Sequence, residues 1–172
     1  MYFIKKPYSH LYEKYILIHL DEKFIDIKHI NSQFEASIIE LQKKTGKLVF
    51  LTSFKNNFEY YRNLNFEKIN LDYLNKIDYL FPDIVIIEDL PLADFQNLIK
   101  NSYINISCHA GFLVHTSLAF KKKTIDIINE SEEIWLDTWV QKSDNYKIVF
   151  KSIINKTIEI KKVLELVNNE IH

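Results

Sequence analysis

The stretch NISCHAGFLVHTSLAFKKKTIDII, residues 105–128, decides how this chain is read. An apolar run closes at Cys108, and His109-Ala110-Gly111 follows as a sharp turn. Residues 112–120 have the pattern of a helix, and residues 123–128 return as a strand. In open sheets built from such units, ligands bind at the carboxyl ends of the strands, where helix N-termini present free N–H groups. Gly111 lets backbone approach an anion closely, and His109 and His115 can each donate a hydrogen bond to it. The bland alternative is that both histidines are a turn group and a helix group satisfied by backbone. Ser107, Thr116 and Ser117 add hydroxyls beside them, or Thr116 and Ser117 are ordinary helix residues.

Working outward, apolar runs alternate with helical patterns. Strands are predicted at Tyr15–Leu20, residues 47–52, Ile84–Ile87, residues 104–108 and residues 123–128, with residues 66–71 a short strand or extended loop and residues 147–150 a last short strand. Helices are predicted at Asn31–Thr45, with Asn31 or Ser32 as N-cap and Gly46 just past the end, and at Leu92–Asn101. Shorter helices are predicted at residues 55–63 and 74–80. A segment at 131–141 carries Trp135 and Trp139 at a spacing that favours core packing, and a long amphipathic helix follows at 152–170, with Ile160, Leu164, Val167 and Ile171 on one face. The alternation predicts a Rossmann-like, doubly wound α/β fold: a mainly parallel sheet with helices on both faces. Residues 1–10 are expected as an N-terminal extension and residues 11–172 as one α/β domain.

Composition narrows the function. Net charge is -1, so nothing suggests bulk attraction to nucleic acid. The run Lys121-Lys122-Lys123 reads as a solvated helix end, where cations suit the macrodipole. The lone cysteine, Cys108, fits a reducing compartment, and no cluster has metal-ligand spacing. No apolar run approaches the ~20 residues of a membrane span, and residues 1–10 lack a signal-peptide core. A cytoplasmic protein is expected, peripheral to the inner membrane at most. With only 2 glycines, neither the dinucleotide fingerprint nor the P-loop can be present.

Other candidate site residues lie after the remaining strands. Lys23 follows the first strand and is either a surface lysine or a phosphate contact. Thr52 and Ser53 follow the second and either cap a helix or touch a ligand. Glu88 and Asp89 open the loop EDLPL. They are acceptors for ribose hydroxyls, or Asp89 or Leu90 caps the next helix with Pro91 at its first position.

In this order the residues resemble the C-terminal, nucleotide-sugar-binding half of GT-B glycosyltransferases, the heptosyltransferase-like family 9 above all. Lys23 matches the family's lysine after the first strand of that half. Residues 95–102 (FQNLIKNS) followed by Tyr103-Ile104 are similar to its L-x-x-L-I-x-x-A-x-x-x-I pattern. Residues 109–115 (HAGFLVH) stand where the family has Asp-Thr-Gly-Pro-x-His. Histidine replaces the acid, Phe112 the proline, and one extra residue separates glycine from histidine. The resemblance implies a domain that binds a nucleotide-diphosphate sugar and stabilises the leaving diphosphate, for transfer to a saccharide or lipid-linked acceptor. Lys23, Gly111 and His115 would carry that charge. No cofactor and no metal are implied, since no Asp-x-Asp occurs. The acceptor half of such an enzyme is not in this sequence. It is expected on a separate N-terminal-type domain or through a homo-oligomer; alternatively the chain is a non-catalytic nucleotide- or phosphate-binding module or a doubly wound interaction protein.

Overall fold

The computed structural model describes residues 8–20, 31–53, 64–76, 80–88, 90–107, 111–132, 134, 138–140, 143–151, 162, 163, 165–167 and 169. After a 3-10 turn at Ser9–Leu11, the elements are β1 (Tyr15–Leu20), α1 (Asn31–Thr45), β2 (Leu48–Ser53), β3 (Glu67–Ile69), α2 (Leu71–Leu74) and β4 (Ile84–Ile87). Then come α3 (Leu92–Asn101), β5 (Ile104–Ser107), α4 (Gly111–Ala119), β6 (Lys123–Asn129), a 3-10 turn at Glu130–Glu132 and β7 (Tyr146–Lys151). The strands form one sheet in the order β3-β4-β2-β1-β5-β6-β7. Every recorded pairing is parallel.

Both faces of the sheet are covered, which is why its strands read as continuous apolar runs. Alternate residues of β1 serve the two sides. Ile16, Ile18 and Leu20 join Phe34, Ile38 and Leu41 of α1 and Val163 and Val167 of the C-terminal helical residues. Tyr15 and Leu17 join Phe95, Leu98 and Ile99 of α3 and Leu113 of α4. Each fully buried aliphatic side chain here is worth about 1.5–3 kcal/mol. Tyr15 also stacks on Phe50 at 4.4 Å between ring centres, and its hydroxyl donates to the Leu98 carbonyl at 2.5 Å. Tyr8, within the stretch expected as an extension, is buried and donates to Asp94 at 2.7 Å.

Two helices end in left-handed residues. Gly46 follows α1 with φ +62°, and its N–H donates to the Gln42 carbonyl at 2.8 Å. At the end of α4, Lys121 takes φ +54°. Its N–H donates to the Leu118 carbonyl and that of Lys122 to the Ser117 carbonyl, at 3.0 and 2.9 Å. This pair of bonds is the Schellman closure, with lysine where glycine is favoured.

The structure corrects several expectations. Among the described residues, the helix expected at 74–80 is met at Leu74, the end of α2 (Leu71–Leu74); residues 77–79 lie outside them. α2 starts early because the Asn70 side chain accepts from the Asp72 and Tyr73 N–H groups, while Leu80 is 92 % exposed. α1 runs from Asn31, and the residues before it lie outside the described residues. Pro91, not Asp89 or Leu90, precedes α3. Trp139 is 68 % exposed rather than core, and the side chain of Trp135 lies outside the described residues. Within the lysine run, Lys122 is buried and paired with Glu13 at 3.1 Å, so only part of the run is solvated. Of the face expected on the last helix, Val167 is buried, with Val163 as its described neighbour one turn earlier. The helix expected at 55–63 lies outside the described residues.

Candidate functional site

The chain reverses its direction across the sheet beside β1. β1 connects through α1 to β2 on one side, and β4 connects through α3 to β5 on the other side of β1. Such a switch point leaves a crevice at the carboxyl ends of the two strands, the usual ligand site of doubly wound sheets. Residues 21–30 follow β1 there. Residues 108–110 join β5 to α4, whose first residue is Gly111.

Beneath this crevice the sheet carries a row of buried polar side chains. The register pairs His19 with Thr52 on one side and with Ser107 on the other, and Ser107 with Asp126. All four are at most 1 % exposed. His19 Nδ1 lies 3.0 Å from Thr52 Oγ1, which in turn donates to the Ile18 carbonyl at 3.4 Å. The tautomer with a proton on Nδ1 lets both bonds form. Burial pushes the His19 pKa down to about 3, so the ring is neutral at physiological pH. It packs on Phe95 of α3 at 4.5 Å, and Phe95 stacks on Phe112 of α4 at 5.8 Å. On the other side, Asp126 accepts from Ser107 Oγ at 2.7 Å and from Tyr146 Oη at 2.8 Å. Burial and the neighbouring Asp126 push the Tyr146 hydroxyl up from its ordinary value. The side-chain bonds therefore tie β1 to β2 and, separately, β5 to β6 and β6 to β7.

The expected site residues fall into three groups. Thr52 belongs to the row itself. Ser53 is the last residue of β2, buried on the opposite face, and its hydroxyl has no hydrogen-bond partner among the described residues. Glu88 is half-buried directly after β4, two strands from β1, with its N–H donating to the Ile69 carbonyl at 2.9 Å. Gly111, His115 and Thr116 share α4. A Cβ added at Gly111 would meet nothing within 4 Å, so the protein's own packing does not demand glycine there. His115 is exposed on the second turn rather than the first, because the helix begins at Gly111; Thr116 is buried. Lys23, Asp89 and His109 lie outside the described residues.

Sequence reasoning missed the partnership of His19 with Thr52 and of Asp126 with Ser107 and Tyr146. The signal was a polar residue among apolar ones, His19 in YILIHL and Asp126 between Ile125 and Ile127 in KTIDIIN. A shallow pocket of about 10 Å³ lined by Lys123, Thr124, Asn145 and Lys147, among others, lies at the other end of the strands, away from the switch point. Among the described residues no group of His, Cys, Asp and Glu could hold a metal ion, and no helix is long and apolar enough to cross a membrane.

No protein-family model and no curated protein matches this chain. Solved structures do. One is E. coli heptosyltransferase WaaC with ADP-2-deoxy-2-fluoro heptose, at 12 % identity and a TM-score of 0.59, covering 92 % of this chain and 44 % of that one. Another is Methanocaldococcus jannaschii UDP-GlcNAc 2-epimerase in complex with UDP-GlcNAc and UDP, at 15 % identity and a TM-score of 0.62, covering 94 % and 40 %. The chain thus spans less than half the length of either protein. The Rossmann-like fold of the GT-B type, expected from the sequence, is the fold of this chain.

Proposed function

We propose that this chain is a donor-binding domain of GT-B type that takes a nucleotide-diphosphate sugar at the β1/β5 switch point. The observation that carries the reading is the adjacency of β1 and β5, parallel strands that meet at the switch point, the sequence continuing from β1 towards Lys23 and from β5 towards α4. The two similar structures hold nucleotide sugars or a nucleotide-sugar analogue, which supports it. In this reading Lys23, His109, the Gly111 N–H and the start of α4 bind the diphosphate. Oriented donors of this kind stabilise a leaving diphosphate without reorganising during the reaction. His115 approaches from the exposed side of α4, and Thr116 supports it from beneath. Glu88 and Asp89 take the ribose hydroxyls, and Thr52 and Ser53 hold the end of β2.

Sugar transfer to a saccharide or lipid-linked acceptor would need a second, acceptor-binding half, supplied by another domain or a second copy. The reaction would take place in the cytoplasm, beside the inner membrane where the acceptor is lipid-linked. A thermal-shift screen against nucleoside diphosphates and their sugars tests the reading. A ligand at one hundred times its Kd stabilises the fold by ~2.7 kcal/mol, a readily measured shift. Uniform silence across the bases, with the protein folded, would remove the proposal. Binding without transfer when acceptor and acceptor half are supplied would leave a non-catalytic module.

A further inference from the structure

The two ends of the sheet differ in character even though the chain as a whole carries only -1. All seven strands are parallel, so they start at one edge, and that edge collects lysines. Lys14 precedes β1, Lys47 precedes β2, Lys121 and Lys122 lead into β6, Lys123 opens it, and Lys147 lies at the start of β7. Lys44 and Lys100 stand in the last turns of α1 and α3, which end at the same edge. Cations at helix C-termini offset the macrodipole, which accounts for Lys44, Lys100 and Lys121. It does not account for Lys14, Lys47, Lys123 and Lys147, because strand starts offer little dipole to offset.

The acidic groups offset this set only in part. Glu13 is bonded to Lys122 and Glu40 to Lys44. Asp83, just ahead of β4 and with its carbonyl accepting from the Val49 N–H of β2 at 2.8 Å, and Glu67, which opens β3, lie at the same edge and offset part of its charge beside Leu80. Asp144, in the turn before β7, is a further acid inside the basic stretch. From β2 to β7 that stretch is roughly 20 Å wide at ~4.8 Å per strand.

Aromatic and apolar groups stand among the lysines. The Tyr103 ring has the Lys47 ammonium 3.9 Å from its centre and that of Lys123 at 5.6 Å. Tyr12 is 55 % exposed beside Lys122, and Leu80 is exposed ahead of β4. Arginine is absent from the described residues, although it is the side chain that suits bidentate reading of bases and individual phosphates. Point charges on flexible stems, mixed with tyrosine and an exposed leucine, instead suit the smeared potential and apolar boundary of a lipid surface.

We infer that the amino-terminal edge of the sheet docks on an anionic lipid bilayer, its lysines over the headgroup phosphates and Tyr12 and Leu80 in the interface. The β1/β5 crevice at the opposite end of the strands then faces away from the lipid. The inference stands whether or not that crevice takes a nucleotide.

Flotation of the full chain with vesicles tests it. Vesicles containing phosphatidylglycerol should carry the protein, pure phosphatidylcholine should not, and added salt should release it. A surface lysine contributes on the order of fivefold to such partitioning, so K14Q, K121Q and K123Q together should weaken it about a hundredfold. Should that triple variant fail to fold, K14Q alone and Leu80→Asn, at exposed positions, should each weaken flotation severalfold. Equal flotation with neutral and anionic vesicles, or none with either, would overturn the inference. So would single-stranded RNA that displaces the protein from anionic vesicles, which would reassign the edge to nucleic acid.

Discussion

His19 of β1 and Thr52 of β2 lie 3.0 Å apart, nitrogen to oxygen, one residue before the carboxyl ends of their strands. The contact joins two strands at the crevice and holds a histidine that burial keeps neutral, its pKa lowered from 6.5 to about 3. An unfolded chain binds a proton at this residue below about pH 6.5, while the folded protein does not until about pH 3. His19 therefore contributes stability that is fully present above pH 6.5 and is lost as pH falls towards 3, by up to ~1.4 kcal/mol per pH unit. His19→Phe keeps a ring against Phe95 and should flatten that slope in urea melts between pH 7 and 4. A slope unchanged by the substitution would mean that the histidine takes up its proton in the folded state.

Asp126 holds two hydroxyls, from Ser107 and Tyr146, on three adjacent strands. Tyr146→Phe removes one hydrogen bond to a buried carboxyl group, a loss of about 1.5–3 kcal/mol where the acceptor is charged. Ser107→Ala should cost a similar amount. Because both donors serve one acceptor, the double variant should depart from additivity by 0.5 kcal/mol or more in denaturant melts. Additive losses would show that the two bonds act independently.

The left-handed helix ends allow a matched pair of substitutions. Gly46→Ala meets no steric obstacle, so its cost is conformational, about 1 kcal/mol. Lys121→Gly relieves the corresponding strain after α4 and should stabilise the fold by about 0.5–1 kcal/mol. Thermal or chemical melts moving in opposite directions for the two variants confirm the reading; a destabilised Lys121→Gly would show that its side chain matters more than its φ.

Much of the fold is legible in the sequence because the sheet is covered on both faces. Tyr15–Leu20 and Ile84–Ile87 are apolar throughout but for His19, and both emerge with the bounds their composition suggests. The α1 end is legible in Gly46 for the same local reason. The misses share another cause. Trp139 shows that helical spacing does not reveal whether the matching face is covered. α2 shows that a side-chain cap, here Asn70, outweighs a weak apolar repeat. The Thr52–His19–Ser107–Asp126 row depends on inter-strand register, which no single strand encodes. Glu88 follows β4 and Gly111 opens α4, whereas Thr52 lies inside β2 and His115 on the second turn of α4.

The most direct test of the donor-site reading is amide hydrogen exchange, followed by mass spectrometry, with and without a saturating nucleoside diphosphate chosen from the thermal-shift screen. Nucleotide bound at the switch point should slow exchange in residues 21–30 and in residues 108–113, at the β5–α4 turn, and Lys23→Ala should weaken both effects together. Saturating nucleotide that protects neither segment, or that protects the starts of β6 and β7 instead, would contradict the account.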